Sequence, residues 1–140
     1  MKLDINKLTN GNINNNIKIG ELNIDVIKLL SLDLNPQNIY LWPSRLEEHC
    51  SKHKDEYSSP QSYYKAIESI PEILDFPDYV GLHSNGNILY IKKIDDISLV
   101  GLKVLKKSGG LLFRTIYPIT EDKLKSNIRS GKYIKLKEDT

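Results

Sequence analysis

The main spacing of apolar residues in this chain of 140 residues changes at the segment Phe76-Pro77-Asp78. Before that segment, apolar residues recur every three or four positions, as they do on the buried side of a helix. After it, apolar and polar residues alternate, as they do in strands with one buried face. Helices followed by strands predict an α+β fold, in which N-terminal helices pack on a four- to five-stranded antiparallel sheet.

Capping residues and prolines predict three helices in the first half. Asn23 can cap the first, and Ser44 with Glu47 forms a capping box for a second that continues to residue 57. Pro60 opens a third helix, since its missing N–H is harmless at the first helical position. Pro71 then starts a new helical turn. Short strands are expected near residues 17–20 and 39–42.

The second half predicts a meander of strands. Short turns containing Gly or Asp separate the alternating segments, and short connections imply antiparallel neighbours. Thr120 can cap a last helix that ends before Gly131. The predicted strands cover residues 79–83, 88–94, 98–107 and 111–117, with a possible final strand over 132–137.

The length of the chain fits one domain. Six of the first 16 residues are Asn, too polar to bury much surface, so residues 1–16 are predicted to form a flexible arm and residues 17–140 the domain. The sequence contains no apolar stretch of membrane-spanning length and no apolar block typical of a secretory signal. A single cysteine, Cys50, excludes an intrachain disulfide. We therefore expect a cytoplasmic protein without a membrane partner.

Charge is distributed unevenly. Residues 1–84 contain 8 Lys/Arg and 12 Asp/Glu, a net charge of −4, whereas residues 85–140 contain 12 and 6, a net charge of +6. A basic half can attract a polyanion such as RNA, although it can equally be a solvated surface.

The predicted second helix carries an unusual pair of imidazoles. His49 and His53 share one face with Leu46, Cys50 and Tyr57. Histidine titrates near neutral pH and suits general acid or base catalysis, but either residue could also be a hydrogen-bonded polar group at the edge of the core. The same spacing of four residues occurs in zinc sites. A third zinc ligand would have to come from a distant segment, so we expect no metal and no cofactor.

The strand over residues 111–117 is the second candidate feature. Thr115 and Tyr117 are hydroxyl donors on one side of it, and Arg114 can clamp a phosphate if a bulge or the strand end redirects its side chain. A salt bridge at a sheet edge is the alternative for Arg114. Lys92 and Lys103 on neighbouring strands are candidate substrate-binding cations. Together with a histidine-bearing helix, this pattern favours metal-independent RNA cleavage, in which a base takes the 2′-OH proton and cations stabilise the phosphorane.

The order of these segments resembles the phage-associated branch of the BECR nucleases, a superfamily of barnase, EndoU, colicin-type and RelE-type ribonucleases. The resemblance covers about residues 17–135 and rests on short motifs. They are Ile17-Lys18-Ile19-Gly20, Leu29-Leu30, Ile39-Tyr40-Leu41, His49, Lys52-His53, Pro71-Glu72-Ile73-Leu74, Pro77-Asp78 and Leu112-Phe113-Arg114-Thr115-Ile116-Tyr117.

The resemblance implies a toxin-like endoribonuclease that cleaves RNA, with tRNA among the candidate substrates, through a 2′,3′-cyclic phosphate. It also implies a cognate inhibitor or immunity protein. The helical histidine of such enzymes falls on His49, or else on His53 one turn later, and the strand residues of the catalytic site would be Arg114, Thr115 and Tyr117. The chain lacks an obvious strand glutamate to act as base. The alternative hypothesis is a non-catalytic module of a phage or mobile element that binds RNA or protein on the same scaffold.

Overall fold

The computed structural model describes residues 2–4, 16–48 and 50–136. Three predictions concern residues outside these ranges: most of the Asn-rich stretch, His49, and the end of the last strand. Within the predicted arm, Leu3 is buried and its N–H donates to the carbonyl of Glu68 at 3.1 Å. No helix in the described part of the chain is long and apolar enough to cross a membrane.

Seven strands form one sheet in the order β1-β2-β6-β5-β4-β3-β7. All neighbours are antiparallel except β2 and β6, which are parallel. The strands are β1 Ile17–Leu22, β2 Gln37–Leu41, β3 Tyr79–Leu82, β4 Ile88–Ile94, β5 Asp96–Val104, β6 Leu111–Ile119 and β7 Tyr133–Lys135.

The α+β class is confirmed, but the prediction of four to five antiparallel strands is wrong. The short segments that precede the helices, β1 and β2, join the edge of the meander at β6 instead of remaining separate. A parallel pair is possible there because residues 42–110 provide the long crossover that parallel neighbours require. At the other edge, β7 pairs with β3.

In the part of the chain that the structure describes, five α-helices and one 3-10 helix accompany the sheet. The predicted caps Asn23 and Thr120 are confirmed, because each side chain accepts a backbone N–H in the first turn of its helix, and Ser59 acts in the same way. The predicted cap Ser44 is instead the first residue of its helix. The helices are α1 Ile24–Leu30, α2 Ser44–Glu48, the 3-10 helix Cys50–Glu56, α3 Pro60–Glu68, α4 Ile70–Asp75 and α5 Glu121–Arg129.

The predicted second helix is not one continuous α-helix, because α2 ends at Glu48 and a 3-10 helix begins at Cys50. Both ends of the 3-10 segment are fixed to the sheet. The Cys50 sulfur accepts the N–H of Ile116, and the Tyr57 hydroxyl lies 3.1 Å from that of Ser98. A 3-10 helix rises about 2.0 Å per residue, more than an α-helix. It therefore spans the distance between the attachment points at Cys50 and Tyr57 with fewer residues.

Apolar cores lie on both faces of the sheet. We call the face covered by α1 to α4 the inner face; the larger core there includes Val26, Ile73 and Ile116. The outer face carries a smaller core beneath α5, which contributes Leu124 and Ile128. The outer core contains Leu89, Ile91, Ile97, Leu99, Ile119 and Tyr133.

Two buried tyrosines of the inner core differ in their hydrogen bonding. The Tyr90 hydroxyl is fully buried and has no partner among the described residues, whereas the Tyr57 hydroxyl bonds to Ser98. A buried polar group without a partner costs about 1–3 kcal/mol. We therefore expect Tyr90→Phe to raise the free energy of unfolding by about 1 kcal/mol.

The matched variant Tyr57→Phe should lower the free energy of unfolding by about 1 kcal/mol, since it removes the partner of buried Ser98. Urea denaturation of both variants measures the difference. Equal destabilisation by the two substitutions would contradict the assignment of Tyr90 as an unpaired hydroxyl.

Candidate active site

The candidate site lies along the part of the β6 edge with which β2 does not pair. The two strands pair only through Ile39 with Leu111 and Tyr40 with Leu112. The chain of β2 then turns into α2, and from Phe113 onward α2 and the 3-10 helix run beside β6 in place of β2. Side chains of these helices therefore reach the part of β6 that carries the candidate residues.

A β-bulge in β6 contains Arg114. On β5, Gly101 pairs with Thr115 and Leu102 pairs with Phe113, so Arg114 is the additional residue and is exposed. Bulges redirect side chains and often occur next to active sites. The pairing of β6 with β5 therefore includes a bulge at Arg114. A bulge is one of the two features that were expected to redirect this side chain toward a ligand.

Arg45 of α2 is bound to this bulge. Its Nε donates to the carbonyl oxygen of Arg114 at 2.6 Å. Burial, and secondly the positive charge of Arg114, lower the pKa of Arg45. Arginine nevertheless stays charged at neutral pH, so the bulge holds two guanidinium groups that repel each other. An anion between them would relieve this repulsion, and bidentate binding of phosphate is the usual role of such groups.

His53 of the 3-10 helix packs against Tyr117 of β6. The ring centroids are 5.4 Å apart, with an angle of 37° between the ring planes. The Nδ1 atom of His53 also pairs with the Glu56 carboxylate. A carboxylate can only accept, so the ring proton occupies Nδ1 and the lone pair of the neutral imidazole is on Nε2. The side chain of His53 is 35% exposed, which leaves it accessible to a substrate.

The Tyr117 hydroxyl is suited to donate a hydrogen bond. Burial, and secondly the Glu56 carboxylate, raise its pKa. The phenol therefore keeps its proton throughout the neutral range. The Lys123 ammonium lies 5.6 Å from the centroid of the Tyr117 ring.

Thr115 lies on the same face as Tyr117, because cross-strand pairs share a face and their partners Gly101 and Leu99 are two residues apart on β5. Gly101 makes room for it: a Cβ at this position would come within 3.2 Å of Thr115 Cγ2. Lys103 follows Gly101 on the same face and is exposed. Thr115, Tyr117 and Lys103 are therefore all on the outer face.

Lys92 is placed elsewhere. It pairs with Ser98 on the inner face, and its Nζ donates to the carbonyl of Phe76 at 2.8 Å and lies 3.6 Å from the Asp78 carboxylate. These contacts tie β4 to the loop after α4. The structure does not bring Lys92 together with the other predicted residues.

Comparison with protein families matches the chain to the model of PBECR3, the phage-Barnase-EndoU-ColicinE5/D-RelE like nuclease3 family. The match covers residues 17–126, which is most of the chain and includes every candidate residue discussed above. The chain belongs to the PBECR3 nuclease family. The predicted resemblance to phage-associated BECR nucleases is thereby confirmed. Neither the curated proteins nor the solved structures gave a match.

Membership of a nuclease family makes nucleic acid the substrate class of this PBECR3 protein. It also agrees with the chemistry along β6, where an imidazole and two guanidinium groups accompany two hydroxyls. A phosphodiester requires proton transfer and neutralisation of negative charge, and these are the groups that provide them.

Cys50 of the PBECR3 chain is a packing residue. Its side chain is fully buried, and burial raises the pKa of the thiol to about 11, so it is not a thiolate at neutral pH. Among the described residues no group of three His, Cys, Asp or Glu is placed to hold a metal ion.

Sequence reasoning missed Arg45, Glu56 and Lys123, which all contact the predicted residues. Arg45 was treated only as part of a helix start. A signal was available, because Arg45, His49 and His53 recur at every fourth position. Glu56 follows His53 by three residues, which is the spacing of a helical ion pair. Nothing local in the sequence indicates that Lys123 of α5 lies near the Tyr117 ring.

Proposed function

We propose that this PBECR3 nuclease is a metal-independent endoribonuclease whose active site lies along the edge of β6. One observation carries the proposal. The His53 imidazole, fixed by Glu56, packs on Tyr117 of β6. The same strand contains Arg114, whose carbonyl oxygen binds the guanidinium group of Arg45. Proton transfer and charge neutralisation would therefore take place beside a single strand.

His53 is the proton-transfer group in this proposal. Its neutral form has a lone pair at Nε2 and can accept the 2′-OH proton as the oxygen attacks the adjacent phosphorus. The bond to the 5′-oxygen then breaks, leaving a 2′,3′-cyclic phosphate, and the leaving oxygen takes up a proton. His49, which lies outside the described residues, stays a prediction as the second acid or base.

The cations and hydroxyls act on the phosphate. Arg114 and Arg45 would bind its non-bridging oxygens and stabilise the additional charge of the phosphorane. Tyr117 and Thr115 would donate hydrogen bonds that orient it. Lys103, on the same face, would contact a neighbouring phosphate.

Cleavage in the presence of EDTA tests this function. Purified protein is incubated with an RNA oligonucleotide and with the same oligonucleotide carrying 2′-deoxy sugars throughout. We expect cleavage of the RNA alone, with fragments that end in a 2′,3′-cyclic phosphate. Intact RNA at enzyme excess, under conditions in which a control ribonuclease cuts it, would reject the proposal and favour the non-catalytic binding module.

We extend the proposal to a toxin role in the cytoplasm, because uncontrolled cleavage of cellular RNA, including tRNA, harms the cell that produces the enzyme. Such an enzyme needs a cognate inhibitor or immunity protein. Induced expression should stop growth with the native chain and not with His53→Ala produced at the same level. Equal growth arrest by both chains would contradict a toxic activity based on His53.

A further inference from the structure

The outer face continues from the candidate site onto β2, where two large aromatic side chains are exposed. Tyr40 is 37% exposed and Trp42 is 57% exposed. Tyr40 alternates with Ile39 and Leu41, which are buried in the inner core. Alternation therefore puts the Tyr40 ring on the outer face, and Trp42 follows directly after the end of β2.

The two aromatic residues lie where β2 leaves β6 and the chain enters α2. Tyr40 pairs with Leu112 of β6, two residues before Arg114. The Trp42 carbonyl accepts the backbone N–H of Arg45 at 2.9 Å, which holds the two residues together. Since a strand rises about 3.3 Å per residue, the segment of β6 from Leu112 to Tyr117 is about 17 Å long.

Exposed aromatic rings next to cations fit one kind of occupant best. Proteins bind single-stranded nucleic acid by stacking bases on aromatic side chains while cations follow the phosphates. A protein partner would also cover exposed rings. However, Lys103 and Tyr40 both pair with Leu112 on this face. Arg45 is bound to the Trp42 carbonyl through its backbone N–H and to the Arg114 carbonyl through its side chain. These cations favour a polyanion.

We propose that Tyr40 and Trp42 form a stacking subsite for unpaired bases, next to the phosphate held by Arg114 and Arg45. The substrate segment is then single-stranded RNA, because bases within a duplex are stacked on each other and do not offer their faces to side chains. This inference deepens the proposed function and rests on it, because the position of the phosphate comes from the proposed active site. The stacking itself does not depend on cleavage.

Trp42 is the only tryptophan of the chain and reports directly on this subsite. We would titrate the protein with a 2′-O-methyl RNA oligonucleotide, which binds without being cleaved, and with a duplex of the same length. We expect saturable quenching of tryptophan fluorescence by the single strand and little change with the duplex. The affinity of each RNA is measured separately, by the anisotropy of a labelled oligonucleotide.

Variants separate stacking from general charge attraction. Tyr40→Ala and Trp42→Ala should each weaken single-strand binding by about 5- to 150-fold, while Tyr40→Phe and Trp42→Phe retain a ring and should bind close to the native chain. Phe76→Ala is the matched control, because Phe76 is 69% exposed but follows α4, where its carbonyl accepts from Lys92 of the inner face. Thermal denaturation identifies any variant that fails to fold.

Each outcome decides one claim. Single-strand binding without quenching, with the alanine variants binding like the native chain, would overturn the stacking subsite. So would a duplex that binds as tightly as the single strand, or a change in oligomeric state on Trp42→Ala without RNA binding. Quenching in a protein that cleaves no RNA would reject only the proposed function, and cleavage without quenching would reject only the subsite.

Discussion

Replacing His53 with alanine is expected to lower kcat for RNA cleavage by about 10²–10⁴-fold, the usual contribution of a positioned proton-transfer group. His53 combines partial exposure, a carboxylate partner at Nδ1 and contact with the Tyr117 ring. Single-turnover cleavage of a labelled RNA oligonucleotide measures the loss.

His83 supplies the control for this prediction. It is exposed in the turn between β3 and β4, where its Nδ1 accepts the N–H of Asn85 at 3.1 Å. We expect His83→Ala to retain native kcat. If His53→Ala cleaves at the native rate while both variants fold, the role of His53 in proton transfer is wrong.

Replacing Arg114 with alanine is the second prediction with a large effect. Arg114 is the exposed residue of the bulge, and its carbonyl binds Arg45. Removal of one preorganised group that stabilises transition-state charge typically costs about 10²–10³-fold in kcat. Arg45→Ala should give a similar loss. The double variant should lose less than the product of the two effects, because both residues act on one phosphate.

Lys107→Ala removes the same unit charge from the exposed turn before β6 and serves as the control. We expect it to change substrate binding slightly and kcat not at all. Losses that are equal for Lys107→Ala and Arg114→Ala would show that only overall charge matters, which would contradict a specific phosphate site at the bulge.

Local sequence signals predicted most of the secondary structure. The caps at Asn23, Ser59 and Thr120 mark helix starts because each side chain satisfies N–H groups that the first turn leaves free. The four meander strands follow from alternation and from turns such as the one at Gly86, whose φ of 92° suits glycine. Such signals act within a few residues of each other.

The features that sequence reasoning missed depend on distant contacts. The pairing of β2 with β6 brings together residues about 70 positions apart, and the 3-10 helix forms because Cys50 and Tyr57 are both bound to the sheet. Neither can be read from local periodicity. The same limit applies to Arg45, whose partner Arg114 is 69 residues away.

The candidate site was predictable in part. Alternation placed Thr115 and Tyr117 on one face, and the need for a bulge at Arg114 was recognised from the strand pattern. Alternation within a strand does not show which of its two sides lies on which face of the sheet. The sequence therefore could not place Lys92 and Lys103 on different faces. The structure separates them, with Lys92 on the inner face and Lys103 on the outer face.

The most direct test is to map a bound phosphodiester on the protein by NMR. Titration with a 2′-deoxy dinucleotide, which cannot be cleaved through a 2′-OH, should shift the signals of the residues that surround the phosphate. We expect the largest changes at Arg45, His53, Arg114, Thr115 and Tyr117. Changes concentrated on α3 and α4, with those five residues unaffected, would contradict an active site on β6.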